Sequence, residues 1–253
     1  MRLENRVAIV TGGGHGIGRQ YSLRYAQEAA RVVVADIDQA AADRVASEIQ
    51  AQGHEALAVG VDVSNEESCQ AMAHRTVDRF GKIDVLMNNA AVFATIPINR
   101  GYIEDISIEE FDRVMAVNVK GVFLACRAVL PYMKQQRYGK IINIASSVVF
   151  AGPPGRIHYS ASKGAVVAMT RTLAREVGDY NICVNGIAPG STLSEENPTE
   201  EIKAMRAAGA QSRAFKRVQT PEDLLGTAVF LASSDSDFIT GQTISVDGGG
   251  VMR

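Results

Sequence analysis

A tyrosine and a lysine stand four residues apart in this chain, at Tyr159 and Lys163. On a helix this spacing places both side chains on one face, about one turn apart. An ammonium group beside a phenol favours the phenolate and lowers a pKa that is about 10 when unperturbed. The pair therefore predicts acid–base chemistry by Tyr159 near neutral pH, although an exposed helical pair has the same spacing.

A glycine-rich turn follows the first apolar run of the chain. Its glycines are spaced GxxxGxG, and the turn comprises Gly12, Gly14, His15, Gly16, Ile17 and Gly18. Glycines between a strand and a helix let the backbone approach a pyrophosphate, and the helix N-terminus offers free N–H groups. The turn predicts a dinucleotide site, although it lacks the common GxGxxG spacing and a purely structural turn is the alternative.

Asp36, at the end of the second apolar run, strengthens the prediction of a dinucleotide site. A carboxylate at this place accepts hydrogen bonds from the adenosine ribose hydroxyls and repels a 2′-phosphate. Ile37 beside it adds no positive charge, so we expect NAD as the cofactor, with NADP less favoured. His15, when protonated, and Arg19 are the groups that could still accommodate a phosphate.

The elements that position these residues follow from the hydrophobic pattern. Short β-branched runs alternate with longer amphipathic runs, which is typical of βαβ units around a parallel sheet. The short runs are apolar at nearly every position, as expected for strands covered by helices on both faces. We expect one α/β domain over residues 1–253, with a doubly wound parallel sheet of about seven strands. The predicted strands are residues 7–10, 32–35, 57–62, 85–88, 141–145, 182–187 and 243–246.

Helix starts and one irregular segment complete the predicted organisation. Capping signals predict helix starts at Ser64-x-x-Glu67, Ser107-x-x-Glu110 and Thr220-Pro221. Residues 191–216 interrupt the alternation with a segment rich in Glu, Ala and Arg. This segment predicts a mobile flap over a pocket, with a solvated surface insertion as the alternative.

Composition limits the classes of partner. The 253 residues include 26 Lys+Arg and 28 Asp+Glu, a net charge of −2, which argues against nucleic-acid and membrane-surface binding. Three cysteines without a CxxC pair predict neither a disulfide framework nor a metal site. The N-terminus leaves no room for a signal peptide, and no apolar run approaches the about 20 residues of a membrane span. We expect a cytoplasmic protein that binds small molecules.

Further motifs occur in order along the chain, and together they resemble the short-chain dehydrogenase/reductases of about this length. Besides TGGGHGIG, Asp36 and Tyr159-x-x-x-Lys163, they are Asn88-Asn89-Ala90-Ala91, Asn118, Ser146, Ala188-Pro189-Gly190, Ile239-Thr240-Gly241-Gln242 and Val246-Asp247-Gly248-Gly249. The resemblance runs from end to end. It implies a Rossmann-like NAD(P)-binding fold and hydride transfer at the nicotinamide, with the cofactor supplying the reactive group.

The resemblance implies roles for four residues. Tyr159 would pass a proton to or from the substrate oxygen, and Lys163 would hold the nicotinamide ribose and depress the pKa of the phenol. Ser146 would hydrogen-bond the substrate oxygen as charge develops on it. Asn118 would position a water that links Lys163 to solvent. Ser146 stands at the family spacing before Tyr159, and its neighbour Ser147 is the alternative if the intervening loop is one residue shorter.

The resemblance also implies cofactor contacts beyond the glycine turn. Asp62 and Val63, at the predicted end of the third strand, would contact the adenine ring. Asn89 and Ala90 would lie against the adenosine side. The segment expected to meet the nicotinamide carboxamide contains Pro189, Gly190 and Thr192.

Pocket walls for the substrate are expected from three segments that follow strand ends, residues 93–96, 148–153 and 191–216. The expected lining residues are Phe93, Ser146, Val148, Phe150 and Tyr159. Their apolar character predicts a secondary alcohol or ketone of modest size as the substrate.

Five further residues lie near these motifs and are not assigned a role in the reaction. Arg100 and Arg156 could reach an acidic group, but a surface position is expected for each. His158 is expected to be structural or to line the pocket. The family commonly has glycine where Ala29 and Ala91 stand. An alanine held left-handed at a helix end costs about 1 kcal/mol, and Ala91 would crowd the cofactor cleft.

The leading interpretation is an NAD-dependent oxidoreductase that interconverts a secondary alcohol and a ketone. A second is a 3-oxoacyl-(acyl-carrier-protein) reductase that uses NADPH, against which Asp36 argues. A catalytically silent NAD-binding sensor is the third, and the presence of Asn118, Ser146, Tyr159 and Lys163 argues against it. The resemblance further implies a homotetramer.

Overall fold

The computed structural model describes residues 1–93, 96–195 and 197–252. Within them, seven parallel strands form one sheet in the order β3-β2-β1-β4-β5-β6-β7. The strands are β1 Val7–Thr11, β2 Arg31–Asp36, β3 Ala56–Gly60, β4 Val85–Asn88, β5 Gly139–Ile144, β6 Ile182–Pro189 and β7 Thr243–Val246. The predicted doubly wound α/β fold is confirmed.

Helices connect the strands on both faces of the sheet. They are α1 Gly16–Gln27, α2 Gln39–Ala51, α3 Glu66–Phe80, α4 Ile108–Met115, α5 Gly121–Gln136, α6 Val148–Ala151, α7 Ile157–Val177, α8 Glu200–Ala210 and α9 Glu222–Ala232. A π-helical turn, Ala116–Lys120, joins α4 to α5. The chain order reverses between β1 and β4, and an open α/β sheet binds ligands at the carboxyl ends of such neighbours.

Two cores explain why the strands are apolar at nearly every position. Successive side chains of a strand point to opposite faces. In β1, Val7 and Ile9 pack into the core under α3, α5 and α7, whereas Ala8 and Val10 pack into the core under α1, α2 and α9. All four side chains are fully buried, so alternation between polar and apolar residues would be unfavourable on either face.

Several predicted element ends differ from the structure. The third strand ends at Gly60, so Asp62 and Val63 lie in the turn that follows it. The hydroxyl of Ser64 donates to Asp62 Oδ1 at 2.7 Å, and Asn65 caps α3 instead by accepting from Ser68 N at 2.8 Å. The Thr220-Pro221 signal is confirmed to within one residue, because α9 begins at Glu222.

The predicted capping box at the start of α4 is half formed. Ser107 caps the helix and accepts a hydrogen bond from Glu110 N. The Glu110 carboxylate does not return to the Ser107 backbone, because it is buried and accepts from both Asn99 N and Asn99 Nδ2. The sequence signal located the helix correctly, whereas tertiary hydrogen bonds decided where the glutamate points.

The expectation that no apolar segment is long enough to cross a membrane is wrong for one helix. The run Ile108–Gln136, which comprises α4, the π-helical turn and α5, has 29 residues and is long and apolar enough by length and composition. Half of its most apolar window is buried inside the molecule. This burial is that of a core helix, and α5 packs beside α3 on the sheet.

Ala29 occupies the left-handed position predicted for it. Its φ is 66°, at the end of α1. Ala29 N donates to Ala26 O at 2.8 Å and Ala30 N donates to Tyr25 O at 3.0 Å. This is the Schellman pattern, in which glycine is the usual residue. The alanine therefore carries backbone strain at this position.

Candidate active site

A cleft of about 800 Å³ opens at the carboxyl ends of the strands. The glycine turn and the ends of β2 and β3 line one end of it. The start of α7, the segment after β5 and the 191–213 region line the other. The cleft therefore gathers, in one place, residues that the chain order separates widely.

The glycine turn is shaped by very close backbone packing. A Cβ on Gly12 would lie 2.9 Å from Ala90 Cα, and one on Gly18 would lie 1.9 Å from Gly12 O. Asn89 Nδ2 donates to the carbonyl oxygens of Thr11 and Gly12, at 3.1 Å each, and fixes the turn to β4. Only glycine fits at Gly12 and Gly18 without moving backbone atoms.

The N-terminus of α1 faces this cleft without a counter-charge of its own. No side chain caps the helix at His15, and its first turn contains no acidic residue. Free N–H groups and the positive dipole end are therefore available to an anion in the cleft. This observation fits the pyrophosphate of a dinucleotide.

Asp36 lies at the end of β2 with its carboxylate buried in the cleft wall. Its Oδ2 accepts from Gly14 N at 2.9 Å, and its Oδ1 accepts from Asp38 N at 3.0 Å. Gly14 therefore holds Asp36 in place and does not itself line the cleft, in contrast to its expected contact with the cofactor. The two hydrogen bonds orient the carboxylate before any ligand arrives.

The two side chains expected to accommodate a phosphate near Asp36, His15 and Arg19, both have acidic partners. His15 Nε2 lies 3.1 Å from Asp38 Oδ2, and Arg19 Nη2 donates to both carboxylate oxygens of Glu48 at 2.7 Å. The Ala41 N–H and then His15 lower the pKa of Asp38, which keeps this carboxyl anionic. The end of the cleft that contains the glycine turn and Asp36, where the sequence predicts the adenosine (the adenosine end), is therefore acidic.

Tyr159 lies near the start of α7 and is 7% exposed. Its ring stacks on Phe93, with centroids 4.3 Å apart and planes 27° apart. Burial raises the pKa of the phenol to about 12, against the smaller lowering effects of the Ser146 hydrogen bond and of Arg156. The expected lowered pKa is wrong for the protein without its cofactor, because loss of water outweighs the neighbouring donors.

Lys163 follows one turn later and is also buried. Its Nζ donates to Ile144 O at 2.8 Å and lies 5.8 Å from the centroid of the Tyr159 ring. Burial lowers the pKa of the ammonium group to about 8. The lysine is thus brought beside the phenol, as predicted, but its charge is itself costly in this position.

Asn118 stands in the π-helical turn between α4 and α5, fully buried. Its Oδ1 accepts from Val92 N at 2.8 Å, and its Nδ2 donates to Ser162 Oγ at 3.2 Å and to Val92 O at 3.4 Å. The side chain is engaged by these partners and does not line the cleft. Asn118 fixes the segment after β4 to α7, and its link to Lys163 through water stays a prediction.

The structure distinguishes the two candidate serines. The Ser146 side chain lies close enough to the Tyr159 phenol to lower its pKa, whereas Ser147 directly precedes the short helix α6 and its backbone N donates to Pro189 O at 2.9 Å. Both residues line the cleft. The geometry favours Ser146 as the partner of the phenol.

The remaining predicted cofactor residues all line the cleft. Besides Asp36, Tyr159 and Lys163 they are Gly12, His15, Gly16, Ile17, Gly18, Ile37, Asp62, Val63, Asn89, Ala90, Pro189, Gly190 and Thr192. Ala91 lines it too, as expected from its position. The motifs, although far apart in the sequence, therefore lie together on the surface of one cleft.

One predicted pocket residue is misplaced. Val148 lines the cleft together with Ala151 one turn later. Phe150 instead packs against the core under α5 and α7, because residues on opposite sides of the one-turn helix α6 face opposite directions. Phe93 and Ile96 line the cleft, and the intervening Ala94 and Thr95 lie outside the described residues.

The surface position expected for Arg156 is wrong. Arg156 lines the cleft just before α7, in contrast to Arg100, which is exposed and contacts Met205 Sδ at 3.7 Å. His158 is fully buried, with Nε2 3.3 Å from Glu110 Oε1, and does not line the cleft. Of the two roles expected for His158, structural or pocket-lining, the structure supports the structural one.

Two arginines of the 191–216 segment also line the cleft, and sequence reasoning did not single them out. Arg206 donates to Ser191 Oγ and Glu195 Oε1, and Arg213 Nη2 donates to Ser191 O at 2.7 Å. Their only sequence signal was the arginine content of the segment. Glu196, within the same segment, lies outside the described residues.

In the part of the chain that the structure describes, no group of three or more His, Cys, Asp or Glu residues is placed to hold a metal ion. The three cysteines, Cys69, Cys126 and Cys183, are buried and free.

Comparisons with known proteins agree with this geometry. A family model described as enoyl-(acyl carrier protein) reductase matches residues 12–250. The chain is 40% identical to galactitol 2-dehydrogenase of Agrobacterium fabrum over the whole of both proteins. It superposes on a short-chain type dehydrogenase/reductase from Mycobacterium marinum with a TM-score of 0.91 and 32% identity, covering 100% of this chain and 98% of the other. The chain also superposes on a 3-ketoacyl-(acyl-carrier-protein) reductase from Brucella melitensis, complexed with NADH. The TM-score is 0.88 and the identity 36%, and the match covers 99% of this chain and 100% of the other.

Proposed function

We propose a specific activity for this chain, which belongs to the short-chain dehydrogenase/reductase family and is an oxidoreductase that uses a nicotinamide cofactor. The activity is the NAD-dependent interconversion of a secondary alcohol and a ketone. One observation carries the proposal: Tyr159, with Ser146 and Lys163 beside it, shares a cleft with the glycine turn and Asp36. A dinucleotide bound in this cleft would therefore lie beside the acid–base group.

The cleft has the features that a dinucleotide requires. The uncapped N-terminus of α1 would hold the pyrophosphate, and Asp36 would accept the ribose hydroxyls. Pro189, Gly190 and Thr192, at the other end, would meet the nicotinamide. When bound, the nicotinamide supplies the hydride donor or acceptor.

The chain's own residues handle the proton. With its pKa raised to about 12, Tyr159 stays protonated and can donate to a ketone oxygen during reduction. Ser146 would donate a hydrogen bond to the same oxygen, where negative charge develops. In the oxidation direction Tyr159 must first lose its proton, because only the phenolate can accept the proton of the alcohol, and positive charge on Lys163 lowers the energy of that phenolate.

NAD is favoured over NADP by the charges around the adenosine end. Asp36 and Asp38 would repel a 2′-phosphate, and His15 and Arg19 are each paired with a carboxylate. Exposed Ile37 adds no positive charge. The similar reductase from Brucella melitensis was crystallised with NADH, which supports the same preference here.

A carrier-protein 3-oxoacyl reductase is the second candidate, favoured by that same similar structure. The experiment is an absorbance assay of reduced nicotinamide with NAD and NADP against secondary alcohols, ketones and a 3-oxoacyl thioester. We expect turnover with NAD and an alcohol or ketone. Faster turnover of the thioester with NADPH would select the second candidate, and NAD binding without turnover would select the sensor.

We also propose that the chain is one domain with residues 191–216 as a flap, that it is cytoplasmic, and that it forms a homotetramer. Large apolar side chains are exposed on the side of α4, α5 and α7, which supports an interface there. They are Ile108, Phe111, Phe123 and Ile157. Light scattering after size-exclusion chromatography tests the assembly, and a stable monomer would contradict it.

A further inference from the structure

Ionised side chains divide the cleft into an acidic and a basic end. Asp36, Asp38 and Asp62 line the end with the glycine turn, whereas three arginines line the end that contains Tyr159, together with the carboxylates Glu195 and Asp247. These arginines are Arg156, Arg206 and Arg213. A cofactor bound through the glycine turn leaves the basic end to the substrate.

Two of the three arginines have partners within the protein. Arg206 forms an ion pair with Glu195 at 2.8 Å. Arg213 donates to Ser191 O, and Asp247 is the carboxylate that most favours its positive charge. Their hydrogen bonds hold the 191–213 segment together, so these arginines have a structural role.

Arg156 differs from them, because among residues 1–93, 96–195 and 197–252 its guanidinium forms no ion pair. Its Nε is buried and makes no hydrogen bond within the described residues. Burial, followed by the positive charges of Arg100 and Arg206, lowers the pKa of Arg156. A partly buried guanidinium beside other cations is unfavourable unless an anion binds there.

Arg156 lies close to Tyr159, the proposed proton donor. Arg156 stands immediately before α7, three residues ahead of Tyr159, and its charge acts on the phenol. The phosphates of the cofactor would lie at the N-terminus of α1, at the opposite end of the cleft. An anion at Arg156 therefore belongs to the molecule whose oxygen meets Tyr159.

We infer that Arg156 binds a carboxylate of the substrate, so that the enzyme acts on a hydroxy acid and its oxo acid. This inference rests on the proposed alcohol–ketone activity. A planar guanidinium matches the two oxygens of a carboxylate. The neighbouring walls at Phe93, Val148 and Pro153 are apolar, so the rest of the substrate is a short hydrocarbon chain.

The first test compares an acid with its neutral ester. For 3-hydroxybutyrate and methyl 3-hydroxybutyrate with NAD, the wild type should prefer the acid. Arg156→Gln should lower the acid-to-ester ratio of kcat/KM roughly 10- to 100-fold, and Arg156→Lys should restore part of it. Exposed Arg75 on α3, outside the cleft, provides the matched control Arg75→Gln, which should leave the ratio unchanged.

The second test measures binding without turnover. Calorimetric titration of the NAD-loaded protein should show that butyrate binds more tightly than butyramide, and Arg156→Gln should remove the difference. Equal binding of the two by the wild type, or equal loss of acid and ester turnover in Arg156→Gln, would overturn the carboxylate site. Equal loss of acid and ester turnover would mean that Arg156 acts only on the pKa of Tyr159. If butyrate binds through Arg156 but no alcohol is oxidised, the proposed activity fails and the carboxylate site stands.

Discussion

The ring of Phe93 stacks on the ring of Tyr159 with their centroids 4.3 Å apart. The stack covers the phenol with an apolar surface and helps to keep it 7% exposed. The same burial raises the pKa of Tyr159 to about 12. Phe93 thus links the shape of the pocket to the acidity of the proposed proton donor.

Removing this cover should alter both properties. In Phe93→Ala, we expect the pKa of Tyr159 to fall from about 12 towards 10, because water reaches the phenol. Loss of the stack should lower kcat/KM by about 10-fold. Phenolate absorbance against pH, corrected with Tyr159→Phe, measures the pKa. Phe238→Ala, at a fully exposed ring, is the control, and an unchanged pKa in Phe93→Ala would contradict the account.

Lys163 predicts a pH dependence of stability in the cofactor-free protein. Its pKa is lowered from 10.5 to about 8 by burial, so the unfolded chain binds the proton more tightly than the folded one. Stability from this group is therefore complete above pH 10.5 and is lost as the pH falls through about 8. Between these values the free energy of unfolding should rise by about 1.4 kcal/mol per pH unit.

Denaturant unfolding of the wild type and of Lys163→Met across this range measures the effect. The difference between the two proteins isolates Lys163 from tyrosines such as Tyr21, whose raised pKa makes stability fall at higher pH. Parallel curves for the two proteins would show that Lys163 has no lowered pKa.

A positive charge beside Asp36 should shift cofactor preference. Ile37 is 66% exposed and lines the adenosine end of the cleft. Ile37→Arg places a guanidinium where a 2′-phosphate would lie, without removing the Asp36 hydrogen bonds to Gly14 and Asp38. We expect NADPH affinity to rise about 10-fold. Fluorescence titration measures it, Ile37→Gln is the uncharged control, and an equal gain in both variants would contradict the electrostatic explanation.

Relieving the strain at Ala29 should stabilise the protein. Its φ of 66° is one that glycine adopts without a Cβ penalty. Ala29→Gly should therefore raise the free energy of unfolding by about 0.5–1 kcal/mol. Ala71→Gly, at an exposed position inside α3, should lower the free energy of unfolding by about the same amount. Chemical denaturation compares the two, and destabilisation by Ala29→Gly would refute the strain.

The fold could be predicted from the sequence because its signals are local. All seven strands were located, since strands covered on both faces are apolar at nearly every position. The Ser107 cap and the glycine turn are also read from a few neighbouring residues. By contrast, the cap at Asn65 was missed because Ser64 donates to Asp62 and leaves the Ser68 N–H to Asn65. The Glu110 carboxylate was misplaced because it accepts from Asn99, 11 residues away.

The composition of the cleft was predictable only in part. Motif order brought Asp36, Ser146 and Tyr159 to one surface, but no local pattern states which side of α6 carries Phe150 or how deeply a phenol is buried. Arg156 looked like a surface residue because arginines usually are. Its place in the cleft, beside Arg100 and Arg206 and without an ion pair to any described residue, depends on the packing around α7, which the sequence does not specify.

We propose that the Tyr159 phenol transfers the proton in a cleft that also holds the cofactor. Tyr159→Phe keeps the ring and its stack on Phe93 and removes only the hydroxyl. Steady-state turnover and NAD titration of this variant test the claim together. We predict that kcat falls about 10²- to 10⁴-fold while the NAD dissociation constant changes by less than about 3-fold. Turnover at the wild-type rate would contradict the account.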